Sequence, residues 1–320
     1  MIQLFNLPMS SAYLRDYGGV DGLRRELAEL NCHGIEVIWA GEETAFPADL
    51  VPGYHLTFYP DWLDFYHEDK TALLAEFGSM ETVISFYGGW GAERLLTIYR
   101  DDLARAKALG VRYVVFHVSN VSIEEGYTYC WRHSHEEVID TAAEIVNLLL
   151  ADETGGFDFL MENQWWPGLT MTDPALTERL LSAVKYPRKG LLLDTGHLMN
   201  ANPALATQQE GIAYIHRMLD QHGDLCRYIR GVHLHQSLSG AYVRAHTGCL
   251  PGNLPEDYLE RFSTSYQHIL KIDQHRPWTD PGIVELVERI GPAYLTHELA
   301  ADGPADRHRA VLCQQQALGW

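Results

Sequence analysis

The sequence has 320 residues, of which 46% are hydrophobic and 21% are charged, and this composition is typical of a soluble globular protein. Its formal net charge of −19 at pH 7 argues against nucleic acid and anionic membranes as partners, because both require a basic surface on the protein. No apolar run approaches the ~20 residues of a membrane span.

Short apolar segments alternate along the chain with longer segments of helical period. The predicted strands are 2–7, 34–40, 54–59, 111–118, 157–162, 190–194, 228–235 and 293–299. Helical periodicity is clearest at 21–30, 93–110, 135–150, 173–184, 211–222 and 280–291. This alternation implies parallel strands, because parallel neighbours need a crossover connection. Eight such units predict one α/β domain over residues 1–320, a (β/α)8 TIM barrel with a short C-terminal extension after about residue 300.

A doubly wound open sheet would show the same alternation, but no GxGxxG motif follows the first predicted strand. No linker-like segment or internal repeat divides the chain. The connections 41–52, 119–133 and 236–258 are long for loops that follow strands, and we expect them to wall the active face of the barrel.

Histidine and carboxylate side chains recur where the third to eighth predicted strands end. They are His55, His117, Glu162, Asp194, His197, His233, His235, Asp273, His275, His297 and Glu298. Taken singly, a strand histidine is more often a hydrogen-bonded core or surface residue, and Asp194 can be a helix cap. In a barrel, however, these strand ends meet at one mouth, where so many carboxylates would repel each other. Divalent cations remove that conflict, and the mixture of donors suits Zn, with Mn or Fe as alternatives.

These motifs resemble the xylose isomerase-like barrel superfamily and, within it, the endonuclease IV branch, over roughly residues 50–300. That branch binds three metal ions through nine ligands, and the resemblance assigns a counterpart to every one of them. The implied ligands are His55, His117 of "FH", Glu162 of "EN", Asp194 and His197 of "DTGH", His233 of "HLH", Asp273 and His275 of "DQH", and Glu298. The resemblance therefore implies a multinuclear site of up to three ions in which Glu162 bridges two of them.

The chain departs from this branch in the segments that surround the ligands. "HVSN", "NQWWPG" and "HRPWTD" replace glycine-rich motifs of the branch, and basic DNA-holding loops are not evident. Together with the negative charge, this predicts a small-molecule substrate and no nucleic-acid or membrane partner. The oligomeric state stays open.

The chemistry predicted from this site is hydrolysis of a small phosphorylated or ester-type substrate by metal-activated water. An alternative is a sugar or sugar-phosphate isomerase or epimerase, in which Glu162 and Glu298 move protons beside one metal ion. A further relative, the multinuclear non-haem iron oxidases, favours Asn at the position of His197. The non-enzymatic alternative is a metal-binding pseudoenzyme.

Four residues outside the implied ligand set are predicted to contact substrate: Arg276, Trp165, Trp166 and His235. Arg276 suits a phosphate or carboxylate group, since a guanidinium can bind either in a bidentate manner. A surface salt bridge is an equally good explanation of Arg276, and one of Trp165, Trp166 and Trp278 is expected to be a packing anchor of its loop.

The five cysteines are scattered along the chain without a CxxC pair. This pattern is typical of reduced thiols and favours a cytoplasmic location. The first ten residues, "MIQLFNLPMS", have no basic segment followed by a long apolar one, so no signal peptide is expected.

Overall fold

The structure is a computed structural model that describes residues 1–42 and 46–320. Eight strands form its sheet: β1 Ile2–Met9, β2 Gly34–Trp39, β3 Gly53–His55, β4 Tyr113–His117, β5 Asp158–Glu162, β6 Lys189–Asp194, β7 Ile229–Leu234 and β8 Tyr294–His297. They are parallel, pair in chain order and close between β8 and β1. The predicted (β/α)8 barrel is therefore confirmed.

Helices connect the strands and surround the barrel. They are α1 Ser11–Asp16, α2 Gly19–Glu29, α3 Leu63–Tyr66, α4 Lys70–Phe77, α5 Met80–Tyr87, α6 Ala92–Leu109, α7 Ile123–Thr128, α8 His135–Leu149, α9 Pro174–Ala183, α10 Thr195–Asn200, α11 Gln208–His222, α12 Gly240–His246, α13 Tyr258–Ile272, α14 Ile283–Ile290 and α15 Pro304–Ala317. Short 3₁₀ helices occupy Ala48–Leu50 and Gly223–Tyr228. The residues after about 300, where a C-terminal extension was predicted, include helix α15, which follows β8. Its Gln314 donates from Nε2 to the carbonyl of Leu234 at 2.8 Å, which fastens this helix to β7.

The third strand is shorter than the predicted segment 54–59. The backbone N–H of Leu56 still donates to the carbonyl of Val115, but that of Thr57 donates to the carboxylate of Asp102 at 2.7 Å. The ladder ends there because a side chain of α6 replaces the neighbouring strand as acceptor. His55 consequently remains the last residue of β3, at the mouth.

The lower part of the barrel interior is filled by apolar side chains. Its buried cluster consists of Leu4, Tyr113, Val115, Leu160, Leu192 and Tyr294. This layer forms a floor beneath the mouth, so polar side chains at the strand ends face upward into one enclosed volume.

Two of the three predicted wall-forming loops contain helices in the structure. Segment 119–133 includes α7, and segment 236–258 includes α12. The middle of the third predicted loop, 41–52, lies outside the described residues. Within the two described ranges, no helix is long and apolar enough to cross a membrane, and all five cysteines are unpaired.

Candidate metal centre

The structure brings all nine implied ligands together in three neighbouring groups. Group A is His55, His117 and Glu162; group B is Glu162, Asp194, His233 and Glu298; group C is His197, His235, Asp273 and His275. Within each group, one donor atom per residue lies within 4.8 Å of the others. Strand register explains part of this, because β4 and β5 place His117 opposite Glu162 and β6 and β7 place Asp194 opposite His233.

Group A has the spacing of a metal-binding site. The Nε2 atoms of His55 and His117 are 3.0 Å apart, and they lie 3.2 and 3.1 Å from Oε2 of Glu162. Ligands bound tetrahedrally to zinc at about 2.0–2.1 Å are separated by roughly 3.3 Å. The three donor atoms therefore fit one ion.

The other oxygen of Glu162 faces group B. Oε1 lies 3.3 Å from Nδ1 of His233 and 3.3 Å from Nδ1 of His197. Nδ1 of His233 also lies 2.7 Å from Oε2 of Glu298 and 3.8 Å from Oδ2 of Asp194. Glu162 thus presents one carboxylate oxygen to group A and the other to the histidines of groups B and C.

Asp273 is the central residue of group C. Its Oδ2 lies 2.6 Å from Nε2 of His275 and 3.3 Å from Nε2 of His197. His275 reaches this position with φ at 47°, a left-handed conformation that is uncommon outside glycine and is concentrated at functional sites. The loop after α13 is therefore shaped to aim this imidazole at Asp273.

Backbone carbonyls fix the orientation of three of these imidazoles. The Nδ1 atoms of His55, His197 and His275 lie 2.8, 3.0 and 3.0 Å from the carbonyls of Leu56, Asn163 and Glu298. A proton on each Nδ1 then donates to its carbonyl, and Nε2 is the ring nitrogen that is directed into the groups. This arrangement is usual for histidines that ligate metals.

Asp194 contributes both a helix cap and a candidate ligand. Its Oδ1 accepts from the backbone N–H of His197 at 2.6 Å and caps α10. Its Oδ2 faces His233 and also lies 2.8 Å from Nε2 of His235. The cap therefore uses one oxygen, and the predicted role as a ligand would fall to the other.

Glu36 is a component of the site that the sequence analysis missed. This carboxylate is buried in the middle of β2 and lies 3.0 Å from Nε2 of His233. It also accepts from the hydroxyls of Tyr113 at 2.7 Å and Thr296 at 3.3 Å. The sequence could have indicated Glu36, because it lies inside the apolar segment "GIEVIW" and a buried carboxylate needs polar partners. It fixes the ring so that Nδ1 points toward group B.

We expect Glu36→Gln to weaken metal binding by about 10–100-fold, because the amide holds His233 less firmly and makes its imidazole less basic. Competition with a fluorescent chelator measures this affinity. The exposed Glu256→Gln variant is the matched control and should bind metal as the wild type does. Equal affinities for Glu36→Gln and wild type would contradict the role assigned to Glu36.

The carboxylates and imidazoles of the three groups shift one another's pKa values. Burial opposes ionisation of Glu162, but His117 and His233 outweigh it and hold the pKa of the carboxyl well below its usual range. Burial likewise opposes the charged form of His275, yet Asp273 raises the pKa of this imidazole to about 10. Without cations, His197, His233 and His275 therefore hold protons that balance the carboxylates. Bound cations would replace these protons, so a decrease in pH should release the cations.

A cavity of about 640 Å³ lies directly above the groups. The candidate ligands that line it are His55, His117, His197, Asp273, His275 and Glu298. Glu162, Asp194 and His233 do not line it, and each is at most 1% exposed. The site therefore has a buried inner set of ligands and an outer set that faces the cavity, which has a volume typical of small-molecule sites.

The two predicted tryptophans lie in the wall of this cavity. Trp165 and Trp166 are 6% and 8% exposed, and their ring centroids are 4.2 Å apart. Trp165 is also 5.3 Å from the ring of His197. Both are thus packed against each other, and both still present a surface to the cavity.

The other two residues predicted to contact substrate do not line the cavity. Arg276 is exposed and does not line the cavity, and its backbone pairs with that of Gln236 through two hydrogen bonds. His235 is fully buried, does not line the cavity, and stacks on His275 at 4.1 Å. Its contact with Asp194 makes it a partner of the ligand groups.

The fold and the site define a (β/α)8 barrel with a histidine- and carboxylate-rich mouth. The sequence model of the xylose isomerase-like TIM barrel family matches residues 24–304, and the chain belongs to this family. This confirms the resemblance to the xylose isomerase-like superfamily, and it agrees with the prediction of an enzyme whose reaction class was left open. A search among curated proteins gives no match.

Several solved structures share the fold. Endonuclease IV from Thermus thermophilus is 16% identical with a TM-score of 0.53, covering 100% of this chain and 99% of that chain. A D-tagatose 3-epimerase-like protein is 14% identical with a TM-score of 0.50, covering 100% and 97%. L-ribulose 3-epimerase is 13% identical with a TM-score of 0.51, covering 98% and 93%. At these identities the likeness is one of fold.

Proposed function

We propose that this protein is a metal-dependent hydrolase that holds up to three divalent ions and acts on a small phosphorylated or ester-type substrate. The observation that carries the proposal is the placement of Glu162. One of its oxygens lies near His55 and His117, and the other lies near His197 and His233. A carboxylate placed in this way can bridge two ions, as in two-metal hydrolytic sites.

The donor set fits divalent ions. Each group combines imidazole nitrogen with carboxylate oxygen at spacings of about one metal coordination shell, which suits Zn most closely and also accommodates Mn or Fe. When bound, such ions supply Lewis acidity, which polarises a substrate oxygen and lowers the pKa of water.

The chain's own carboxylates divide into two roles. Glu298 lines the cavity, so it is placed to hold or move a proton at the substrate. Glu162 lies beneath the cavity among four imidazoles, so its role is that of a ligand. Asp273 also lines the cavity and connects His197 with His275.

An isomerase or epimerase is the second candidate, because group B by itself is a complete four-ligand set. An epimerase removes a proton from one face of a carbon and returns one to the opposite face, which requires acid–base groups on both sides of the substrate. The sequence analysis assigned these roles to Glu162 and Glu298, and only Glu298 lines the cavity. This favours hydrolysis.

The proposal also includes a small-molecule substrate and a cytoplasmic location for the protein. The cavity volume of about 640 Å³ suits a small molecule. Among the described residues that line it, Arg307 is the one arginine or lysine, which is poor provision for a nucleic-acid backbone. The unpaired cysteines agree with a reducing compartment.

Metal content of protein purified without chelator tests the proposal. We expect two or three ions per chain in the wild type, by elemental analysis, and one fewer in His117→Ala, because group A loses a ligand that group B does not use. The exposed His246→Ala variant should keep the full content. One ion in the wild type, unchanged in His117→Ala, would contradict the multinuclear proposal and favour the isomerase. Hydrolysis of p-nitrophenyl phosphate and ester substrates should require the bound ions.

A further inference from the structure

Arg307 is a buried guanidinium with little to neutralise it. It lies on α15 and is 7% exposed. Its Nη1 donates to the hydroxyl of Tyr17 at 3.1 Å, and its Nε has no hydrogen-bond partner. In the part of the chain that the structure describes, no carboxylate forms an ion pair with it. A guanidinium has five N–H donors, so most of its capacity is unused.

The groups in direct contact with the guanidinium do not balance its charge. Burial raises the pKa of Tyr17, so its phenol stays neutral beside the guanidinium. The ring of Phe5 lies 5.9 Å from the guanidinium carbon, near the limit for a cation–π contact. Because burying an unpaired charge is costly, buried arginines in proteins are normally paired with an anion. The unpaired charge of Arg307 is therefore the unexplained feature of this position.

Arg307 lines the same cavity as the outer ligands of the metal centre. The chain runs from Glu298 through Ala300 and Ala301, which also line the cavity, into the helix that carries Arg307. Asn6 lines the cavity beside them and donates from Nδ2 to Oε1 of Glu298 at 3.2 Å. One ligand can therefore reach Arg307 and the candidate metal ligands without leaving this space.

We propose that Arg307 binds an anionic oxyacid group, a carboxylate or phosphate, on the far end of the substrate. The substrate is then a small anion with two ends: oxygens that reach the metal centre, and a charged group paired with the guanidinium. This rests on the proposed function, and it gives Arg307 the anion-binding role that the sequence analysis assigned to Arg276. A planar guanidinium suits such a group because it can donate two parallel hydrogen bonds.

Hydroxamic acids of graded length are suitable probes, because the hydroxamate end chelates metal. One series ends in a methyl group, the second in a carboxylate and the third in a phosphonate. We expect the metal-loaded wild type to bind a charged probe of one length about ten-fold or more tighter than the methyl probe of equal length. Calorimetric titration measures these affinities, and the second and third series distinguish the two anion types.

Arg307→Met should remove the preference for charged probes and leave the affinity for methyl probes unchanged. Arg276→Met is the matched control and should keep the preference. Arg307→Lys retains the positive charge but lacks the planar guanidinium, so it should retain part of the preference for charged probes. This variant provides a second test if Arg307→Met folds poorly.

Two results would overturn the inference while leaving the metal centre intact. The first is equal binding of methyl and charged probes by the wild type at every length, and the second is a preference that survives in Arg307→Met. Failure of every hydroxamate to bind metal-loaded protein would instead contradict the metal centre, and the inference with it.

Discussion

Glu162→Gln is expected to lose at least one metal ion and to lower hydrolytic activity by roughly two or more orders of magnitude. The amide has nearly the size of the carboxylate, but it lacks the charge that balances the cations and its nitrogen cannot serve as a ligand. Both oxygens of Glu162 face imidazoles of different groups, so one substitution should disturb two ion positions together. Elemental analysis and steady-state hydrolysis of a p-nitrophenyl substrate measure the two effects.

The barrel should survive this substitution, because Glu162 lies above the apolar floor of the barrel and not within it. Circular dichroism should therefore show the wild-type secondary structure. The exposed Glu288→Gln variant is the control, with full metal content and activity expected. Full activity in Glu162→Gln would show that its carboxylate is not part of the reaction site.

Removal of metal is expected to destabilise the folded protein substantially. A bound ion at a free concentration 100 times its Kd contributes about 2.7 kcal/mol to the free energy of unfolding. For several ions this corresponds to a decrease in Tm on the order of 10–20 °C. Thermal unfolding before and after treatment with a chelator measures this difference.

Readdition of metal should restore the Tm, and the Tm should rise with metal concentration as mass action requires. Zn should restore it at lower concentrations than Mg, because imidazole donors suit Zn and magnesium prefers oxygen. An unchanged Tm after complete removal of metal would mean that the groups do not hold ions that stabilise the fold.

The ligand positions could be predicted because a parallel barrel forces its strand ends together. His55, His117 and Glu162 each end a strand, so their convergence follows from the alternation of strands and helices. The limits of β3 could not be predicted in the same way. The carboxylate of Asp102, a residue distant in sequence, ends its hydrogen-bond ladder.

The substrate-facing residues were harder to predict, because they depend on side-chain directions in loops and in the last helix. Arg276 follows a candidate ligand closely in sequence but turns outward, whereas Arg307 lies far along the chain and turns inward. Nothing in the sequence around Arg307 indicates that it reaches the cavity, because an arginine in a helix can also lie on the exposed face. His235 follows directly after β7, and it contacts Asp194 and does not line the cavity.

The order of the three groups along the chain has a consequence for how the barrel is assembled. All of group A comes from the first five strands, and all of group C comes from the segments that follow β6. Group B alone joins the two halves, since it combines Glu162 with Asp194, His233 and Glu298. An ion in group B would act as a cross-link that closes a long stretch of chain, and cross-links of that kind favour the folded state by restricting the unfolded one. Groups A and C can each form within one half of the barrel during synthesis, whereas group B can form only after the two halves have met.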